Sequence, residues 1–89
     1  MKSVATRRFW SLFHALPRNV QSTAVKTYRL WVENPGHPSL RFRRLEGGDE
    51  RFTIRIGNHY RAIGRLRSGT IAWVWIGTHA EYDKLTRRS

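Results

Sequence analysis

Eighty-nine residues, 39% of them hydrophobic and 12% aromatic, carry enough apolar material for one modest core, which excludes a disordered tail and a two-domain chain. Seventeen Lys and Arg against six Asp and Glu give a formal net charge of +11, strongly self-repelling on so small a body and suited to a polyanionic partner, either nucleic acid or an acidic protein. The lack of cysteine excludes a disulfide-stapled secreted domain, and no apolar run nears the ~18 residues of a membrane span.

These features lead us to expect one domain over residues 1–89 in a reducing, cytoplasmic setting. Met1 to Arg8 is basic, but Phe9–Leu16 is short, contains His14 and is not followed by a small-residue cleavage site, so a signal peptide is rejected. No basic amphipathic helix argues for a membrane surface. Fourteen of the seventeen cations are arginine, whose planar fork makes bidentate contacts to phosphate where lysine acts as a point charge. From Arg51 to Ala80 there are five arginines and no acid. The acids lie elsewhere, at Glu33, around Glu46, Asp49 and Glu50, and at Glu81 and Asp83, so one continuous stretch forms a field of a single sign.

Lys2–Ala5 is a candidate short strand. Thr6 suits the N-cap of a helix over about Arg7–Leu16, on which Phe9, Leu12, Phe13 and Leu16 share a face. Pro17 suits the first turn of a second helix, because its missing N–H is not needed there. Leu16, Val20, Ala24, Tyr28 and Trp31 then form one apolar stripe running to about Glu33. Two helices joined so tightly form a hairpin. Asn34-Pro35-Gly36-His37-Pro38 ends the second helix.

Strands fill the remainder. Leu40–Leu45 begins as an alternation, Gly47-Gly48-Asp49 is a turn, and Arg51–Ile56 alternates cleanly. Gly57-Asn58 marks a hairpin, His59–Arg67 a third strand, Ser68-Gly69 a turn, and Thr70–Ile76 a fourth strand. This last strand is apolar on both faces, as expected of a central strand covered by helices on one side. Thr78-His79-Ala80-Glu81 reads as a capping box, with Thr at the N-cap and Glu three residues on. It opens a short C-terminal helix that frays before Arg87 and Arg88. Helices first and strands afterwards give an α+β fold with a sheet of about four strands.

A one-residue slip in the middle hairpin would exchange the faces of the sheet. A three-residue loop, Gly57-Asn58-His59, pairs Ile56 with Tyr60 and Ile54 with Ala62. Phe52, Ile54, Ile56, Tyr60, Ala62, Gly64 and Leu66 then share the helix-covered face, and Arg55, Arg61 and Arg65 share the open one. A two-residue loop would drive arginines into the core, a costly burial of charge. The first register is preferred.

Cleaving RNA without a metal requires deprotonation of the 2′-hydroxyl, stabilisation of the phosphorane and protonation of the leaving 5′-oxygen. Histidine and tyrosine suit the proton transfers, and arginine the clamp. The open face offers Arg55, Arg61 and Arg43, and its edges offer His59, His79 and Tyr82. His79, at the first helical position past the strand, is the sharpest candidate; the alternative is a histidine that only caps or packs. Arg55 and Arg61 are either phosphate ligands or solvated strand residues, and their place on one acid-free face favours phosphate. A hairpin-loop histidine such as His59 is ordinarily just exposed. Tyr82 reads equally as core or site. The four tryptophans read as core before stacking platforms. There is no glycine-rich phosphate loop, zinc spacing or cysteine nucleophile, His37 is isolated, and the acids form no metal cluster, so neither metal nor other cofactor is expected.

Several segments together resemble one family, the RelE/ParE toxins of toxin–antitoxin systems. Leu16-Pro17, Val20-Gln21, Tyr28, Trp31, Asn34-Pro35, His37-Pro38-Ser39-Leu40 and Phe42 resemble the helix-hairpin half. Arg55-Ile56-Gly57 and Tyr60-Arg61-Ala62 resemble the central hairpin. Trp75-Ile76-Gly77-Thr78-His79-Ala80-Glu81-Tyr82-Asp83 resembles the C-terminal segment, especially of YafQ-like and HigB-like members. The resemblance covers about residues 9–85. It implies two helices packed on one face of a curved antiparallel sheet, and an intracellular toxin neutralised by a cognate, acidic antitoxin. In the ribonuclease branch it implies entry into the ribosomal A site and cleavage of mRNA there. Arg61 matches the arginine that handles the scissile phosphate, and His79 the acid/base histidine. Tyr82 or Asp83 falls near the final aromatic of the motif. Where RelE carries lysines on its sheet, Arg41, Arg43 and Arg55 stand in, with Arg65 and His59 as further RNA contacts. Two other functions stay open: a ParE-like gyrase poison, since one fold hosts both, and a non-catalytic RNA-binding module.

Overall fold

The computed structural model describes residues 2–46 and 50–87; the expected turn at Gly47-Gly48-Asp49 and Arg88 lie outside them. The chain runs through strand β1 (Lys2–Ala5), helices α1 (Arg7–His14) and α2 (Arg18–Glu33), and a single 3-10 turn (Pro38–Leu40). It continues through strands β2 (Arg43–Arg44), β3 (Arg51–Ile56), β4 (Tyr60–Arg67) and β5 (Thr70–Thr78) to helix α3 (His79–Thr86). The fold is α+β, as expected, but the sheet is mixed and has five strands among the described residues, in the order β1-β5-β4-β3-β2. The added strand is β1, which pairs parallel with β5 from Lys2 opposite Thr70 to Ala5 opposite Trp73. A parallel pair needs a long crossover in place of a hairpin, so nothing next to β1 in sequence announces its partner.

α1 starts where Thr6 accepts a hydrogen bond from Phe9 N (3.1 Å). α1 and α2 cover one face of the sheet. Phe13, Ala24, Trp31, Leu40, Ile54, Ile56, Ala62, Ile71, Trp73 and Ile76 form the core there. Trp31 is 1% exposed and meets Trp73 and Phe42 edge to face, at 5.3 and 5.7 Å. Full burial of each such apolar side chain contributes about 1.5–3 kcal/mol.

The middle hairpin has the expected register: Ile56 lies opposite Tyr60, Ile54 opposite Ala62, Arg55 opposite Arg61 and Arg51 opposite Arg65. The strand expected over Leu40–Leu45 is cut short. Pro38 opens the 3-10 turn, His37 Nδ1 accepts from Ser39 N, and Arg41 takes a left-handed conformation (φ 46°). Arg43 and Arg44 pair with β3, and Leu45 N donates to the Arg51 carbonyl (2.7 Å). Leu40 and Phe42 still reach the core, by way of that kink.

The second face departs from the expected all-arginine surface. The register between β4 and β5 shifts at Ile63/Gly64, with Ile63 opposite Trp75 and Gly64 opposite Trp73. Such a bulge inserts one extra residue and reverses the facing of the residues beyond it. Trp73 therefore packs with α1 and α2, whereas Trp75 joins Ile63 and Tyr82 in a second buried cluster beneath α3. Gly64 is needed here: a Cβ would lie 2.8 Å from Ile71 and 3.0 Å from the Trp73 ring. Helices thus cover β5 on both sides, not one. Three tryptophans are core; Trp10 is 47% exposed and stacks on His14 (5.9 Å).

Candidate functional site

The second face has two ends. At the hairpin end, β5 delivers the chain into α3, and the capping box fixes where that helix begins. Glu81 N donates to the Thr78 hydroxyl (3.1 Å), while Glu81 Oε1 accepts from Thr78 N (2.9 Å) and from the Thr78 hydroxyl (3.0 Å). The Thr78 backbone bond first, then its hydroxyl, holds the Glu81 carboxyl below its usual pKa. His79 is the first residue of α3, and its N–H donates to the carbonyl of His59 in the hairpin loop (2.7 Å). Helix start and hairpin tip are thereby tied together.

That tie brings three expected residues into one cluster. Arg61 Nε donates to His79 Nδ1 at 3.2 Å. The Arg61 guanidinium lies over the Tyr82 ring, 5.1 Å from its centroid, a cation–π geometry. The His79 ring lies near-parallel to Tyr82 at 6.1 Å. Because Nδ1 accepts, the neutral imidazole carries its proton on Nε2. Nε2 faces Asp83 Oδ2 at 3.5 Å, and both side chains are about half exposed. Tyr82 is 9% exposed and belongs to the cluster with Trp75 and Ile63. It is core and site at once: its packed ring is the platform on which Arg61 and His79 rest. Gly77, opposite Arg61 on β5, makes room for this; a Cβ there would fall 2.5 Å from Trp75 Cζ2 and 2.9 Å from Glu81 Oε1.

Residues 18–84 match the sequence profile of the ParE-like toxin domain. The chain belongs to the ParE-like toxin family. Solved structures carry the same fold. A chain of the RelB–RelE antitoxin–toxin complex from Methanococcus jannaschii aligns with TM-score 0.73 at 13% identity, covering 94% of this chain and 99% of that one. YafQ from E. coli aligns with TM-score 0.73 at 12% identity, over 91% and 96%. A YoeB/ParE toxin from Agrobacterium tumefaciens aligns with TM-score 0.68 at 19% identity, over 89% and 99%. At such identities the likeness is one of fold. Among curated proteins none matches this chain by sequence.

In this ParE-like toxin the remaining expected residues are spread across the face. Arg55 sits opposite Arg61 and is held to the hairpin, donating from Nε to the Gly57 carbonyl (2.9 Å) and from a terminal nitrogen to Asn58 Oδ1 (2.7 Å). His59 contributes its carbonyl to the site and has an exposed side chain. Arg65 lies four residues along β4 from Arg61, opposite Arg51, hence about 13 Å away at ~3.3 Å per residue. Arg43 is on the short β2, opposite Thr53. Arg41 does not lie on the sheet; it caps the 3-10 turn. Asn58, which steadies Arg55, had no role assigned from sequence, and Asp83, placed there only near the final aromatic of the motif, faces His79. The Asp83 contact had a signal, since a helical residue faces the one four positions on. Among the described residues no three His, Asp or Glu side chains gather as a metal site, and no helix is long and apolar enough to cross a membrane.

Proposed function

We propose that this chain is the toxin of a type II toxin–antitoxin pair, that it cuts mRNA in the ribosomal A site using its own side chains and no metal, and that a cognate acidic antitoxin neutralises it. The observation that carries this reading is the Arg61–His79 hydrogen bond at the end of a strand face rich in arginine.

The geometry supports the following roles. A phosphate entering the face draws the Arg61 guanidinium off Nδ1, and Arg61 then matches the charge that builds on the phosphorane. The freed Nδ1 lone pair accepts the 2′-hydroxyl proton. The 2′-oxygen attacks phosphorus, the bond to the 5′-oxygen breaks, and the protonated imidazole returns its proton to that leaving oxygen. The products are a 2′,3′-cyclic phosphate and a 5′-hydroxyl. Asp83 balances the imidazolium, and Tyr82 holds both partners in place. Arg55, Arg43, Arg65, Arg41 and His59 bind RNA outside the reacting phosphate. An excess of eleven positive charges suits rRNA and mRNA on the one hand and an acidic antitoxin segment on the other.

Primer extension on cellular mRNA after brief induction tests the reading, with wild type beside His79→Ala. Cuts at translated codons that vanish in the variant are the expected result; cuts that persist in the variant remove His79 from the chemistry. The ParE-like profile favours a second reading, a gyrase poison that performs no chemistry. Growth arrest with a DNA-damage response and uncut mRNA would select it.

A further inference from the structure

We propose that the far end of the same sheet face holds a second RNA subsite, which takes the base and phosphate of a nucleotide flanking the one that is cut. The inference rests on the reading that this face carries RNA. An open cleft of about 510 Å³ lies there, within the ~300–1,000 Å³ of small-ligand sites. Three elements that are distant in sequence each bring one arginine to it: Arg8 from the first turn of α1, Arg51 from β3 and Arg65 from β4. Val74, Trp75 and Leu85 give it an apolar floor and wall.

The bulge in β5 is what makes the floor. It places Val74 and Trp75 on this face while Trp73 packs on the other. Leu85 of α3 is half exposed beside them. An apolar surface with guanidinium groups at its rim is the chemistry that takes the flat face of an unstacked base and the phosphate next to it. Inorganic phosphate alone would leave the floor unused. The Arg51–Arg65 row is set on the same two strands as the Arg55–Arg61 row, so a single-stranded RNA lying along the sheet meets both in turn. Arg61 belongs to the scissile phosphate, and the Arg51–Arg65 row to a neighbour of it.

The test uses the full chain with His79→Ala, so that RNA stays whole, and measures fluorescence anisotropy with labelled single-stranded RNA of about three and about nine nucleotides. The longer RNA is expected to bind at least tenfold tighter. Adding Arg8→Ala or Arg65→Gln should remove most of that gain and lower the salt slope by about 0.7 per arginine, with the melting temperature unchanged in Arg8→Ala. A nine-nucleotide RNA made abasic beyond its third position should bind like the short one. Equal affinity for both lengths, unchanged affinity in both arginine variants, or an abasic RNA that binds as well as the intact one would each overturn the subsite. Equal weakening of polyglutamate by the same variants would reduce it to a general polyanion patch and overturn it too. Cleavage is read separately: wild type that cuts no mRNA while the His79→Ala chain shows this length and base dependence removes the nuclease reading and keeps the subsite.

Discussion

On the side of the sheet covered by α1 and α2, the buried residues are almost entirely aliphatic and aromatic, and Trp31 is closed off by Trp73 and Phe42. On the side covered by α3, the buried apolar cluster among the described residues is Ile63, Trp75 and Tyr82, with Arg51, Arg55, Arg61 and Arg65 in the strands around them. The first side is a core that happens to back a site. The second has just enough apolar material to hold one short helix at a fixed angle, and that helix supplies His79 and Tyr82. On the proposed reading, stability and chemistry are therefore largely assigned to opposite faces of one sheet.

The sharpest way to break that division is to truncate one large residue on each face. Arg61→Ala should lower cleavage by about 10²–10³, the usual cost of removing a donor aimed at developing charge, while its melting temperature stays close to wild type. Trp31→Ala should cost about 3–5 kcal/mol, a large part of the ~5–15 kcal/mol that holds a domain folded, while the molecules that remain folded in the cold still cut. Melting curves and primer extension on both variants decide it. An Arg61→Ala chain that melts as early as Trp31→Ala would show that the arginine face is structural.

Two glycines sharpen the comparison at smaller scale. At Gly64 a methyl group would press on Ile71 and Trp73, and at Gly77 on Trp75 and Glu81. Each Ala substitution should cost about 1–3 kcal/mol through overpacking. Only Gly77→Ala should also lower cleavage in the fraction that stays folded, because the atoms it displaces support Tyr82 and the start of α3. A normal rate per folded Gly77→Ala molecule would mean that Arg61 and His79 do not depend on the Trp75–Tyr82 packing.

The faces differ, too, in how far they could be read in advance. The helix stripe, except for Tyr28, which is 43% exposed, and the hairpin register were legible, because apolar spacing and the cost of burying Arg55, Arg61 or Arg65 leave one arrangement. Thr78 and Glu81 announced the start of α3 and with it the place of His79. The bulge at Val74 was not legible: Trp73 and Trp75, two apart in sequence, should share a face, and only the closed packing over Gly64 separates them. β1 was visible as a short segment but not as a parallel partner of β5. Leu40–Phe42 imitated a strand because both residues are core, yet a left-handed Arg41 lies between them. Trp10, read as core with the other tryptophans, stays outside.

The smallest effect tests whether the α3 face depends on its cap. Glu81 accepts from both the backbone and the hydroxyl of Thr78, and these bonds hold its carboxyl below the usual value. A carboxyl whose pKa is depressed in the folded state binds its proton more readily when unfolded, so its contribution to stability is complete at neutral pH. That contribution should fade as pH drops from the ordinary glutamate value of about 4.3 through the lower folded one. Thr78→Ala, which removes the hydroxyl partner, should cost about 1 kcal/mol at neutral pH, and Glu81→Gln should flatten the acid limb of the stability curve by lowering the neutral plateau, where the ionised carboxyl contributes, and leaving the acid end little changed. Since the cap also fixes the His79 N–H against the His59 carbonyl, cleavage at neutral pH should fall more in Thr78→Ala than its lost stability explains. Activity in step with the folded fraction would mean instead that the hairpin tip alone holds His79 in place.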